Sequence, residues 1–151
     1  MAGTTVGALG EAVGVQPAGN KLSIIMFSGT ADKFIPLGVL AQAGAAMGME
    51  VNVFVTGFAL RAFTKERHEL PFPAECAPLA PLVAQGMVAA HSAPWDAMLR
   101  HAKELGAKVH ACSMMSAVMG LGPEDFNELV DDVVGAATFL QTAEGGETFF
   151  I

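Results

Sequence analysis

Lys108-Val-His-Ala-Cys-Ser-Met-Met-Ser-Ala-Val-Met-Gly-Leu121 changes character midway, and that change decides the fold. Ala107–Cys112 is a short apolar run of strand length. Ser113 is placed to cap a helix over about Met114–Leu121, which Gly120, Gly122 and Pro123 stop. A strand that feeds directly into a helix is half of a parallel crossover unit.

The same alternation extends in both directions. Upstream, Lys21–Phe27 reads as a strand buried on both faces, and Ala31–Met49 as a helix carrying Phe34, Leu37, Leu40 or Ala41, Ala45 and Met47 on a stripe. Gly38, Gly44 and Gly48 leave that helix room to pack closely, and Pro36 falls in its first turns. Val51–Thr56 is a β-branched strand, followed by a short helix over Phe58–Glu66. His68–Pro81 holds Pro71, Pro73, Pro78 and Pro81 and is irregular. Helices are expected at Leu82–Ala90 and Pro94–Leu105. Downstream come a strand at Leu129–Val134, a helix at Gly135–Ala143 and a terminal strand at Thr148–Ile151. Five strands alternating with helices predict an α/β domain, a flavodoxin-like three-layer α/β/α with a mainly parallel sheet. The expected organisation is a flexible arm over 1–20 and a single domain over 21–151, with an irregular insertion at about 57–93.

Composition narrows the function. The 151 residues are 52% hydrophobic and 15% charged, a surplus that calls for a covered sheet, an oligomer interface or a membrane contact. Ala77–Trp95 lacks any charged residue, yet Pro78, Pro81, Pro94 and His91 favour a soluble loop and a short buried helix over a membrane span. A net charge of −7, eight Lys and Arg in all, and no Tyr argue against nucleic acid. Cys76 and Cys112 form no CxxC pair, and the four histidines show no HxxxH pattern. No metal or cofactor is expected. Without a signal-like N-terminus, the reading is a cytoplasmic chain with reduced thiols.

No GxGxxG, P-loop or GxSxG occurs, so chemistry is sought at strand ends. Ser28-Gly29-Thr30 and Thr56-Gly57 are candidate ligand loops that ordinary turn chemistry explains equally. Cys112 precedes a helix start, where backbone N–H groups stabilise a thiolate, and Met114, Met115 and Met119 would give it a polarizable rim. A buried structural cysteine fits the same residues. His110 shares the strand face with Cys112 and is either a helper or a strand-edge histidine. Cys76 is either a resolving thiol or an incidental one in a loop. Asp131 and Asp132, adjacent on a strand, would point to opposite faces and cannot act as a pair.

Lys108–Leu121, Lys21–Ser28 with Ala31-Asp32, Leu129–Leu140 and the closing Thr148-Phe-Phe-Ile151 together resemble DsrE/DsrF/DsrH-like proteins over about 20–151. The subgroup most similar is often labelled a "peroxiredoxin family protein", and it too carries an extended apolar insertion after the second strand. The resemblance implies a homo-oligomer that relays sulfane sulfur as a cysteine persulfide. The family cysteine falls on Cys112, which makes the chain a sulfur carrier or sulfurtransferase served by rhodanese-like or TusA-like donor and acceptor proteins. A two-cysteine cycle fits poorly, because Cys76 lies far from Cys112 in the chain. The competing functions are a small-ligand or nucleotide-binding module and an oligomeric or membrane-associated interaction subunit.

Overall fold

Val51, Val53 and Val55 project to one side of strand β2 (Glu50–Val55), and Asn52 and Phe54 to the other, as the period of two requires. That division organises the whole molecule. The structure, a computed structural model, describes residues 20–151; the arm expected over 1–20 lies, apart from Asn20, outside the described residues. Around β2 stand β1 (Lys21–Met26), β3 (Lys108–Cys112), β4 (Asp132–Val134) and β5 (Glu147–Phe150). All pairings are parallel, in the order β4-β3-β2-β1-β5. The fold is α/β, flavodoxin-like, as expected. Its order places the switch point, where the strand order changes direction, between β1 and β5, whereas the 2-1-3-4-5 order places it between β1 and β3.

Register aligns Ile24 with Val53 and Val53 with Val109, so an aliphatic row crosses three strands on one face. Two helices cover this face, α1 (Ala31–Ala46) and α3 (Trp95–Glu104). Phe34, Leu37 and Ala41 of α1 and Leu99 and Ala102 of α3 are fully buried against it. Glycine sets the spacing: a Cβ at Gly38 would lie 3.0 Å from the Trp95 carbonyl oxygen, and one at Gly44 would lie 2.7 Å from Leu22 Cδ2. Gly48 has a different role from the packing expected of it. Its φ of +76° turns the chain after Ala46, so α1 stops short of Met49. Trp95 closes the end of this core against Phe34 (ring centroids 4.7 Å) and Phe63 (5.5 Å).

The opposite face carries much less. Helix α5 (Ala136–Ala143) lays Phe139 on Phe54, with centroids 4.6 Å apart and planes 16° from parallel. Phe54, Cys112, Phe139 and Ala143 are its buried cluster, while β5 at the sheet edge is exposed throughout.

Three segments depart from expectation. The fourth strand begins at Asp132 instead of Leu129. Leu129 is buried in the first core, its carbonyl accepts from Lys103 Nζ at 2.7 Å, and Asp131 trades hydrogen bonds with the Val109 backbone at 2.8 Å. After β2 the chain forms a 3₁₀ segment at Gly57–Phe63 rather than an α-helix. Its start is forced by Gly57 at φ +53°, where a Cβ would collide with the Phe27 ring. The helix expected to be buried, α2 (Ala80–Ala89), has no buried residue. The sheet's faces already have α1, α3 and α5. Among the described residues no helix is long and apolar enough to cross a membrane.

Substitution should report this division. Leu99→Ala is expected to cost roughly 2–5 kcal/mol in a urea titration, as for a fully buried leucine. Leu82→Ala, on exposed α2, should stay within about 0.5 kcal/mol of the parent. Equal losses would contradict the placement of α2.

Candidate functional site

Cys112 ends β3 and is itself the N-cap residue of α4 (Ser113–Val118); Ser113, expected in that position, is the first helical residue. Ser116 reaches back a turn and donates from Oγ to the Cys112 carbonyl at 2.8 Å, fixing the strand-to-helix corner. At six residues α4 is under two turns long. The Cys112 side chain lies on the Phe54 face of the sheet, in one buried cluster with Phe54 and with Phe139 and Ala143 of α5, and Ile25, Met115 and Val134 pack against that cluster. Only 5% of the residue is exposed. The expected methionine rim reduces to Met115: Met114 points to solvent, and Met119 lines a crevice near Arg61.

His110 does share this face, yet it does not reach for the thiol. Its Nδ1 lies 2.5 Å from Asp132 Oδ1 on β4, and its Nε2 lies 3.3 Å from Asn52 Oδ1 on β2. Asn52 Nδ2 donates in turn to Glu50 Oε1 at 3.2 Å. The imidazole is therefore pinned across three strands, with both nitrogens committed to oxygens other than the Cys112 environment. Its contact with the thiol's surroundings is through the Phe139 ring, 6.4 Å from the imidazole centroid. Asp132 is the partner that sequence reading missed, because pairing it with His110 requires the β3–β4 register. Asp131 points elsewhere, to Lys103 at 2.7 Å, so the two carboxylates act separately as expected.

Cys76 sits half-buried in the proline-rich run, its N–H bonded to the Pro73 carbonyl at 2.9 Å, and both cysteines are free. Ser28, Gly29 and Thr30 line a crevice of about 360 Å³ at the end of β1, with Phe58, Arg61 and His68 opposite. Thr56 and Gly57 are not part of its wall: Thr56 donates its N–H to the Met26 carbonyl at 2.9 Å, and Gly57 packs on Phe27. Beyond Arg61 a further crevice of about 540 Å³ is lined by Trp95, Arg100 and Glu128. There Arg100 bridges Asp96 at 2.8 Å and Glu128 at 2.9 Å. The hydrogen bond from Arg100 holds the Glu128 carboxyl below the usual carboxylate range. Among the described residues no three His, Cys, Asp or Glu side chains converge as a metal site.

A parallel-sheet domain with a free cysteine at the carboxyl end of an inner strand is the class these features define. The chain belongs to the DsrE/DsrF/DrsH-like family, whose family model matches residues 18–71 and 73–150. It is 26% identical over 151 residues to the uncharacterized protein YrkE of Bacillus subtilis (strain 168), covering 83% of this chain and 92% of that one. Among solved structures, the YchN protein of E. coli superposes with a TM-score of 0.56 at 9% identity, covering 87% of this chain and 98% of YchN. BT1422 of Bacteroides thetaiotaomicron, a conserved protein of unknown function, gives 0.53 at 14% identity, covering 87% and 95%. At such identities the two structures speak for the fold.

The burial difference between the two thiols has a direct readout. Iodoacetamide with peptide mass analysis should modify Cys76 well before Cys112 in the native protein. Phe139→Ala, which uncovers Cys112, should raise its rate at least about tenfold and leave Cys76 unchanged. A Cys112 rate equal to that of the unfolded chain would show that α5 does not shield it.

Proposed function

We propose that the chain is a sulfur carrier that holds sulfane sulfur as a persulfide on Cys112. The observation that carries this reading is the position of Cys112 in a DsrE-family chain: a free thiol at the carboxyl end of an inner strand, enclosed by Phe54, Phe139 and Met115. In the forward step the Cys112 thiolate attacks the outer sulfur of a donor persulfide. The donor S–S bond breaks, the donor departs as a thiolate, and Cys112 keeps the transferred sulfur in a new S–S bond. An acceptor thiolate then attacks that outer sulfur, and Cys112 leaves as a thiolate. Sulfane sulfur passes along without any external oxidant or reductant.

The apolar enclosure suits the carrier state, since it keeps water and stray thiols from the persulfide. Loading and unloading then require Phe139 to move aside, and α5 is a short helix with few residues to displace. His110, held by Asp132 and Asn52, acts as a polar support of β3 and not as a base for the thiol. The donors and acceptors we envisage are rhodanese-like or TusA-like proteins in the cytoplasm, and the carrier works as a homo-oligomer. Exposed Met114 and Val118 on α4 and Leu140 on α5 supply apolar surface for such contacts. A second reading, an interaction subunit, draws on α2, whose apolar side chains Leu82 and Val88 are exposed.

Intact mass measurement after incubation with polysulfide tests the carrier. The wild-type chain and Cys76→Ser should each gain one sulfur atom that dithiothreitol removes, and Cys112→Ser should gain none. No gain in the wild type, or the same gain in Cys112→Ser, would refute the reading.

A further inference from the structure

We propose that the crevice at the carboxyl end of β1 binds a small planar molecule carrying an anionic group. The sheet order places this crevice where ligands gather in open α/β sheets: β1 lies between β2 on one side and β5 on the other, and the strand order switches direction there. Its volume of about 360 Å³ falls within the range of small-molecule sites, roughly 300–1,000 Å³.

Chemistry divides the crevice into two ends. At one end Phe27 meets Phe58 edge-on at 5.9 Å; outside the crevice wall, at the sheet edge, Phe150 stacks on Phe27 at 5.9 Å with planes 29° apart. These phenylalanines are 42%, 65% and 69% exposed in that order, a contiguous aromatic surface that their own chain leaves largely open. A planar ring laid on it would gain the contacts that offset or edge-on aromatic pairs make. At the other end Arg61 donates from Nη2 to His68 Nδ1 at 3.2 Å, which orients the guanidinium. Among the described residues no carboxylate lies within ion-pair distance of it, so its remaining N–H donors stay available. Glu69 lines the same crevice without pairing with Arg61. Ser28 Oγ and Thr30 Oγ1 bond to each other at 2.9 Å and retain capacity to meet a ligand oxygen. Gly29 completes the floor: a Cβ there would sit 2.9 Å from the Phe58 carbonyl oxygen, so only glycine lets the β1 loop and Phe58 approach this closely.

Local charge favours an anion over a cation or a neutral ring: against the chain's net charge of −7, Arg61 is a cation held in place beside an aromatic wall without a neutralising carboxylate. Strand β2 separates β1 from β3, so a ligand here is independent of Cys112 and of any sulfur relay.

Adenosine monophosphate and phenylacetate are the probes, titrated into the isotope-labelled full chain while amide resonances are followed by NMR. At least one should shift the amides of Ser28, Gly29, Thr30, Phe58 and Arg61, and which one binds separates a nucleotide from an aromatic acid. Adenosine and ribose phosphate, each lacking one half of the chemistry, should bind at least about tenfold more weakly than adenosine monophosphate if the nucleotide is the ligand. Arg61→Ala, at an exposed position, should weaken the binding anion about tenfold, and Phe58→Ala should weaken it similarly. Cys112→Ser should bind as the parent does. The proposal is overturned if neither probe shifts these amides at millimolar concentration, if the shifts lie elsewhere, or if Arg61→Ala binds unchanged.

Discussion

The aliphatic row Ile24–Val53–Val109, sealed beneath α1 and α3, is the constraint on which the other features depend. It takes up two long helices and nearly all of the large buried side chains, with Gly38 and Gly44 setting how close α1 comes to α3 and to the sheet. Parallel strands need both faces covered, because each strand carries apolar side chains on both sides. Once the first face has claimed α1 and α3, the second is left with α5. The Phe54–Phe139 stack therefore does there what many aliphatic contacts do on the first face.

This imbalance shapes the chemistry of Cys112. Its face is thin enough for a single helix to determine whether the thiol meets solvent, yet the cluster around it is wholly apolar. The polar residues on the same face are grouped one row away. Asp132, His110, Asn52 and Glu50 bond in a line across β4, β3 and β2, keeping their polar atoms paired with one another instead of directing them at the thiol. Such a line also ties the short edge strand β4, three residues long, to the sheet.

The thin face has a second consequence at the opposite edge. No buried cover lies over β5 on this face, so Phe150, in register with Ile25, is exposed and joins Phe27 and Phe58 in an aromatic surface. The 3₁₀ segment after β2 then brings Arg61 beside it, which it does because Gly57 turns the chain at positive φ toward Phe27. A packing shortfall and a backbone turn together create a crevice with an apolar and a cationic end. Helix α2 shares the theme of uncovered apolar surface but lies outside both faces.

Periodicity and turn chemistry are local, and so the sequence alone determined five strands, their alternation with helices, the α/β class and the place of Cys112 at a strand end followed by a helix. His110 and Cys112, two apart on one strand, had to share a face for the same reason. Boundaries held to a residue around α3, between Pro94 and Gly106, shifted by a few residues at the end of α1, and failed at Leu129–Asp131, where a lysine from α3 and the backbone of β3 claim the polar groups. Tertiary structure decided what depends on residues distant in the chain: the order β4-β3-β2-β1-β5, the pairing of His110 with Asp132, and the cover of Phe139 over Cys112. It also decided the exposure of α2. An uncharged helix reads as buried when seen alone, and whether it is buried depends on which helices have already taken the sheet.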